Sequence, residues 1–476
     1  MSNLYTSKTY VFVQFSSLSD RTAIIGPPGT GKTYQMEQLI KTANVRYVYL
    51  TYSRSMAQEA RKRIIEDPDH VGTFHSILSR VLGISSFMKT EDFEFFCNHY
   101  GLTMPKYFSN DEFLGSDDFS QFMQKYDYSR NTLRPIATDS KLNMKYLAQE
   151  YEKFKHGIGK HDYTDILVKA SETYLPYYDA IFVDEAQDLT PLMWKVINRW
   201  PSKRLILGGD DDQAIFSFKG VFAEDFINEA KKSDIIELTV SKRFGDNVRQ
   251  LAEKVTKGIN RIEKHYIGAG NTEIKFLNLK QFLAIPGEKA ILTRTNNLSQ
   301  NIAQSVLLPT WPINPSHSLN NGWTPKTLRL ARILNHWPPQ DLEDVRYLIQ
   351  ALPASMLVRG VKKNIDELQP NLYGFDGLFK KKPTPRSIIE WLNISDKQKA
   401  LLSIYLGKDV SQIVRIDTIH AAKGMEFDNV LFVLDKPFNI DYTAEEKRIV
   451  YTGITRVKKL LAFAYMDYYR DQYRLY

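Results

Sequence analysis

The chain has 476 residues, 43% hydrophobic and 25% charged, with 63 Lys and Arg against 55 Asp and Glu, a net charge of +8 and a pI near 9.0. That length exceeds one ordinary core and predicts several folded units of roughly 100–200 residues, and no apolar run approaches the ~20 residues of a membrane helix, so no spanning segment and no membrane partner are expected. Cys97 is the only cysteine, ruling out an internal disulfide or a cysteine-held metal cluster, while the modest basic excess is compatible with a polyanionic partner.

Residues 1–20, MSNLYTSKTYVFVQFSSLSD, are polar and aromatic and lack a secretory signal's apolar stretch and cleavage site, so an intracellular, cytoplasmic location is expected. Arg21 to Thr33, RTAIIGPPGTGKT, is a short apolar strand running into Gly26-x-x-x-x-Gly31-Lys32-Thr33, the spacing of a phosphate-binding loop. Across Gly26, Pro27, Pro28, Gly29, Thr30 and Gly31 the glycines let backbone N–H groups turn inward around phosphate oxygens. The following helix offers its positive N-terminus, Lys32 reaches the outer phosphates and Thr33 can hold Mg²⁺, so ATP and Mg²⁺ are the expected cofactors.

Two short blocks follow, VYLTYSRSMAQEARKRI (48–64) and GTFHSIL (72–78), and then a stretch from Leu82 to Gly159 of aromatic, polar and mixed-charge residues; HDYTDIL (161–167) marks its end. YDAIFVDEAQD (178–188) is a second apolar strand ending in Asp184-Glu185. A carboxylate at such a strand end completes a Mg²⁺ shell and its neighbour can orient or deprotonate the attacking water, which assigns Asp184 to the metal and Glu185 to the water. Asp188, before Leu189-Thr190-Pro191, reads as a helix N-cap.

GGDDDQAIFSFKG (208–220) follows the apolar run Leu205-Ile206-Leu207 and crowds three aspartates, a glutamine and two phenylalanines together. In isolation it reads as a buried strand, a polar turn, and Ile215, Phe216 and Phe218 returning to a core. Further on come LTVSKRFGDNV (238–248), AILTRTNNLSQ (290–300), a Pro-, Trp- and Asn-rich stretch between Pro309 and Asp409, DTIHAAKGMEFDNV (417–430) and EEKRIVYTGITRVKK (445–459).

In this order the blocks resemble the superfamily 1 DNA helicases of the UvrD/Rep/PcrA type, and the match covers most of the chain. The resemblance implies that Gln213 senses the terminal phosphate, that Phe216 and Phe218 lie beneath bases of single-stranded DNA, and that Lys219 approaches its backbone. It also implies two arginine fingers, Arg243 and Arg456; a ribose contact from Glu426 with close backbone approach at Gly424; and strand contacts from Thr418 and His420. Tyr52, Phe74, His75, Arg294 and Asn296 add aromatic and polar groups for the single strand, each ring being equally compatible with a place in the core. Asp210 to Asp212 sit near the metal or cap the turn. Base stacking is worth roughly 1–3 kcal/mol per base and opening a duplex step costs about 1.4 kcal/mol, so rings that gain and lose bases can help to move a strand.

The fold class that follows is α/β: two RecA-like parallel-sheet P-loop NTPase domains with ATP between them, each carrying an inserted accessory subdomain. The first core is expected over 1–81 and 160–250 around an insertion at 82–159; the second over 251–308 and 410–476 around an abbreviated insertion at 309–409. Two departures stand out. The family's adenine-reading glutamine segment is not evident in residues 1–20, where Gln14 is the only glutamine, and Lys242 stands where the family has an adenine-stacking tyrosine. Tyr34 is a candidate to supply the missing ring.

The leading expectation is an ATP-dependent, DNA-stimulated helicase moving 3′ to 5′ on single-stranded DNA and acting at single-strand/duplex junctions as a monomer, in replication, repair or recombination. Its compact size suggests a phage-infected host or a minimal bacterial cell. A single-strand translocase with little unwinding, an RNA helicase and a scaffold with a dead ATP site are the alternatives. The last block ends at Lys459, close to Tyr476, so a fused nuclease is not expected.

Overall fold

The computed structural model describes residues 14–64, 70–104, 117–139, 141–306, 308–312, 319, 322–363, 365, 375–408, 413–434 and 442–465. Residues 1–13 of the stretch weighed for a signal and for an adenine-reading segment lie outside them. Two compact units form, one drawn from Met1–Asn271 with Asp441–Thr455, the other from Thr272–Ile440 with Arg456–Tyr476.

In the first unit β1 (Arg21–Ile25), β2 (Tyr47–Thr51), β3 (Val71–Thr73), β4 (Tyr178–Val183), β5 (Ser202–Gly209) and β6 (Asp234–Glu237) make one sheet in the order β3-β2-β4-β5-β1-β6, every pair parallel. Parallel strands need crossovers that cover both sheet faces, so their residues are apolar in unbroken runs. Ala23, Ile25, Val48, Leu50, Ile181 and Leu207 enter one core, while Ile24, Tyr49, Phe182 and Ile206 enter the other. The register pairs Ala23 with Leu207 and Leu207 with Val183. The turns after Ile25, Val183 and Gly209 therefore leave the same edge of the sheet, the carboxyl edge where α/β folds bind ligands.

Between β3 and β4, helices at Thr90–Tyr100, Asp118–Thr132 and Met144–Gly157 close around their own core of Phe96, Phe119, Phe122, Met123 and Tyr151. The chain returns through the helix Tyr163–Glu172, whose N-terminus is held by a capping box between Asp162 and Asp165. A short parallel pair, β7 (Val240–Ser241) with β8 (Ile267–Gly268), follows β6.

The second unit repeats the layer scheme. β9 (Glu273–Phe276), β10 (Lys289–Thr293), β11 (Thr310–Trp311), β12 (Val414–Thr418), β13 (Phe427–Leu434) and β14 (Val457–Tyr465) lie in the order β11-β12-β10-β13-β14-β9, again all parallel. Helices at Pro325–Asn335, Leu342–Ala351, Pro385–Trp391 and Asp396–Tyr405 bury Leu330, Leu348, Ile349, Ile388 and Leu402 in a separate core. Both sheets are RecA-like α/β layers.

Where the sequence expectation starts the second core near Leu251, the helix Asp246–Thr256 and β8 group with the first unit, and so does the helix Ala444–Ile454. The reason is local: Arg448 Nη2 donates to the Asn260 carbonyl at 2.7 Å and Lys447 Nζ to the Lys257 carbonyl at 2.8 Å. Among the described residues no helix is long and apolar enough to cross a membrane.

Candidate functional site

The loop after β1 turns through Gly29 at φ 79° and Gly31 at φ 89°, and Gly31 caps the helix Lys32–Ala43. Left-handed backbone strains a residue with a side chain and leaves glycine unstrained, which is why the sequence has glycine there. Lys32 is buried, and its ammonium donates to the Gly26 carbonyl at 2.7 Å and the Pro27 carbonyl at 3.3 Å. Burial lowers its pKa against the raising fields of Asp210, Glu185 and Asp184. Gly26, Pro27 and Pro28 are buried, and Thr30 Oγ1 closes the loop on the Pro27 carbonyl at 2.9 Å.

Thr33 Oγ1 donates to Asp184 Oδ2 at 2.7 Å, and Tyr49 OH reaches the same oxygen at 2.7 Å. A hydroxyl and a carboxylate so close are an all-oxygen donor set of the kind a hard cation takes, so the residues fit Mg²⁺ held by Thr33 and Asp184. Burial first, then the neighbouring Glu185, pushes Asp184 up to about 6. Glu185 itself sits at φ 54°, one of three non-glycine residues with positive φ among those described. Its carboxylate accepts from Gln187 Nε2, whose Oε1 accepts the Asp210 N–H at 3.0 Å. Gln187 is wholly buried and links the two acidic turns, a role the sequence reading did not assign.

Asp188 is not the cap predicted for it. Thr190 fills that place, accepting from Met193 N–H at 3.4 Å at the start of the helix Pro191–Arg199, while Asp188 ends the preceding turn, buried. Proline at the first helical position puts the capping hydroxyl one residue before it.

After β5 the chain enters a buried charge cluster. Asp210, Asp211 and Asp212 are each 0% exposed. Asp210 caps the turn by accepting from Asp212 N–H, and its Oδ2 accepts from Gln213 Nε2 at 2.9 Å and Tyr451 OH at 3.0 Å. Burial opposes ionisation of Asp210, but the Lys264 and Lys32 ammoniums outweigh it and hold the carboxyl down at about 2. Ile215 then turns into the core, whereas Phe216 is half-buried and Phe218 is 48% exposed. Tyr52 stacks on Phe216 at 5.5 Å, Phe218 meets Phe216 edge-on at 6.0 Å, and the Lys219 ammonium lies over both rings at 5.4 and 5.7 Å. Of the three apolar residues that could have returned to the core, only Ile215 does so completely.

Phe74, expected among the strand contacts, is a correction. It is 2% exposed inside the core, because the helix Phe74–Val81 begins there and turns its first side chain under the sheet. His75 points the other way and meets Tyr163 edge-on at 6.0 Å, with Tyr163 stacked on Phe87 at 5.5 Å. Tyr34 is 51% exposed directly after the loop, and Gln14 is exposed before the short turn Phe15–Ser17.

Arg243 is stitched to the phosphate loop through its neighbours: Ser241 Oγ donates to the Pro28 carbonyl at 2.7 Å and Lys242 N–H to the Gly29 carbonyl at 3.0 Å. In the second unit Arg294 is half-buried just after β10, and Asn296 is exposed at the start of the helix Asn296–Ser305. Thr418 ends β12 and accepts from Ala421 N–H at 3.3 Å; His420, Gly424 (φ 81°) and exposed Glu426 occupy the turn that follows. Arg456 is 1% exposed and donates to the Met425 carbonyl at 3.3 Å, so it lies against that turn.

Comparison with known proteins gives two family matches, one described as an AAA domain over residues 12–219 and one as a UvrD-like helicase C-terminal domain over residues 347–468. The chain is 24% identical over 501 residues to F-box DNA helicase 1 of Gallus gallus, covering 91% of this chain and 46% of that protein. It is 28% identical to F-box DNA helicase protein 1 of Schizosaccharomyces pombe over 60% of this chain and 33% of that one. It is 23% identical to the ATP-dependent DNA helicase UvrD2 of Mycobacterium tuberculosis over 66% and 53% respectively. The chain thus spans about half or less of the length of these relatives.

Proposed function

The chain belongs to the UvrD-like superfamily 1 DNA helicases, and from that premise we propose that it hydrolyses ATP to move 3′ to 5′ along single-stranded DNA and to open duplex at a junction. The observation that carries the reading is the short path from chemistry to strand. Gln213, tied to Asp210 on the buried side, is three residues from Phe216, whose half-buried ring stacks with Tyr52 and meets the exposed Phe218 edge-on.

In this reading Lys32 and the loop's N–H groups grip the phosphates, Thr33 and Asp184 hold Mg²⁺, and Glu185 orients the attacking water. When bound, the metal would neutralise charge developing on the phosphates. Gln213 contacts the terminal phosphate, and Arg243 and Arg456 supply the positive charge that accelerates such transfers by about 10³–10⁵. Glu426 and Gly424 take the ribose side and Tyr34 the base. Tyr52, His75, Phe216, Phe218, Lys219, Arg294, Asn296, Thr418 and His420 line the strand. A monomer in the cytoplasm is the proposed working form.

The decisive test is ATP-driven strand displacement on duplexes with a 3′ or a 5′ single-stranded tail. Displacement from the 3′-tailed substrate alone is expected, and Lys32→Ala is expected to abolish it together with hydrolysis while leaving strand binding intact. Strong DNA-stimulated hydrolysis without displacement from either substrate would instead favour the translocase, and preferential stimulation by RNA the RNA helicase.

Duplex engagement has its own support. Arg359, Lys362, Lys363, Lys380, Lys381 and Lys382 are all exposed. Their two segments are tied together by Val358 N–H to the Leu378 carbonyl and Lys380 N–H to the Met356 carbonyl, both at 3.1 Å. Such a cluster suits the phosphates of a duplex arm. Replacing Lys380, Lys381 and Lys382 with alanine is expected to weaken binding to tailed duplex more than to single strands. The salt slope of duplex binding should become shallower by up to about 0.9 for each phosphate that the lysines no longer neutralise. An unchanged slope would remove these lysines from the interface.

A further inference from the structure

Asp210, Asp211 and Asp212 offer oxygens within 4.8 Å of one another, the arrangement of an all-oxygen cation site, yet what lies among them is a side chain. Lys264 Nζ sits 2.9 Å from Asp210 Oδ1, 2.7 Å from Asp211 Oδ1 and 2.7 Å from Asp212 Oδ2, with 0% of its side chain exposed. Arg261 Nη2 adds a second cation 2.6 Å from Asp212 Oδ2. On the far side, Arg448 Nε donates to the Asp211 carbonyl at 3.0 Å.

We propose that Lys264 is a positioning residue for hydrolysis: a resident ammonium that occupies the cation place among the three aspartates and, by anchoring one oxygen of Asp210, aims the other at Gln213. The two oxygens of Asp210 have divided duties. Oδ1 is fixed on Lys264, and Oδ2 accepts from Gln213 Nε2 and Tyr451 OH. A carboxylate pinned at one oxygen cannot rotate, so the amide hydrogen-bonded to the other keeps one orientation. Without the ammonium, three buried carboxylates repel one another, and against the turning of Asp210 there remain only neutral donors, the long 3.3 Å contact from Asp212 N–H to Oδ1 and the Tyr451 hydroxyl on Oδ2. The inference rests on the proposed role of Gln213 at the terminal phosphate.

The test uses the full chain and measures DNA-stimulated ATP hydrolysis for Lys264→Ala, with and without ethylammonium chloride against sodium chloride at the same ionic strength. The expected result is a fall in kcat of about 10²-fold, the size seen when one oriented hydrogen-bonding group is lost from a reaction site. KM for ATP and single-strand affinity should stay nearly unchanged, and kcat should recover saturably with the amine but not with sodium. A folded Lys264→Ala protein with unchanged kcat overturns the proposal, as does a loss shared equally by kcat and strand affinity or one no amine restores.

Tyr451→Phe keeps the ring and removes only the second anchor, so it serves if Lys264→Ala does not fold. Its kcat loss should be non-additive with that of Gln213→Ala, and additive losses overturn the mechanism. Gln213→Ala alone separates the two ideas. If it leaves kcat intact, the phosphate reading of Gln213 has failed; if it lowers kcat while Lys264→Ala does not, only the positioning role has failed.

Discussion

Gly29 shows how much one atom can decide. It was legible as a phosphate-loop glycine, but the fold gives it a second reason: a Cβ there would stand 2.5 Å from Arg243 Cβ and 2.9 Å from Ser241 Oγ, on backbone already at φ +79°. Gly29→Ala is expected to push residues 241–243 off the loop, lowering kcat more than single-strand affinity; unchanged steady-state kinetics would show that the close approach is dispensable. Other residues were less legible. Phe74 and His75 are adjacent and both ring-bearing, and only the onset of a helix at Phe74 decides which enters the core. The lysine that bridges Asp210, Asp211 and Asp212 lies 52 positions beyond Asp212, in a stretch with no motif of its own, so no spacing rule could pair them.

At the scale of elements, the central strands of the first sheet that run into the phosphate loop and the two acidic turns were the most legible part, because burial on two faces writes them as apolar runs between polar turns. The insertion between β3 and β4 was visible only as a change of composition, and what fastens it was not. Lys155, from the helix Met144–Gly157, lies 2.6 Å from Asp162 and 2.8 Å from Asp165 with 3% of its side chain exposed, and Arg130 joins the same pair of carboxylates. These acids open the helix that carries the chain back to the sheet, so the network clamps insertion to core. Removing one partner of a buried ion pair strands the others, and Lys155→Met is expected to destabilise the protein by about 3 kcal/mol in denaturant titration. A midpoint within experimental error of the parent would mean the clamp is slack. The short pair β7 and β8 carried no sequence signal, being two residues long on each side.

For the whole molecule, two parallel sheets and their order along the chain followed from the motifs, but which unit owns each segment did not. Ownership depends on buried polar partners, and Ala444–Ile454 joins the first unit through Tyr451 and Arg448. A fragment ending at Asn271 is therefore expected to unfold at lower denaturant than one in which residues 441–455 are appended through a flexible linker. Equal midpoints would show that the helix is a passenger. The same connectivity has a temporal side. A ribosome finishes most of the first unit, then must make Thr272–Ile440 before the helix that completes it emerges, a wait of roughly 8–34 s at 5–20 residues per second. For that interval the nascent first unit holds buried aspartates short of a donor and an uncovered helix face, which makes it a client for whatever holds unfinished chains apart in the cell.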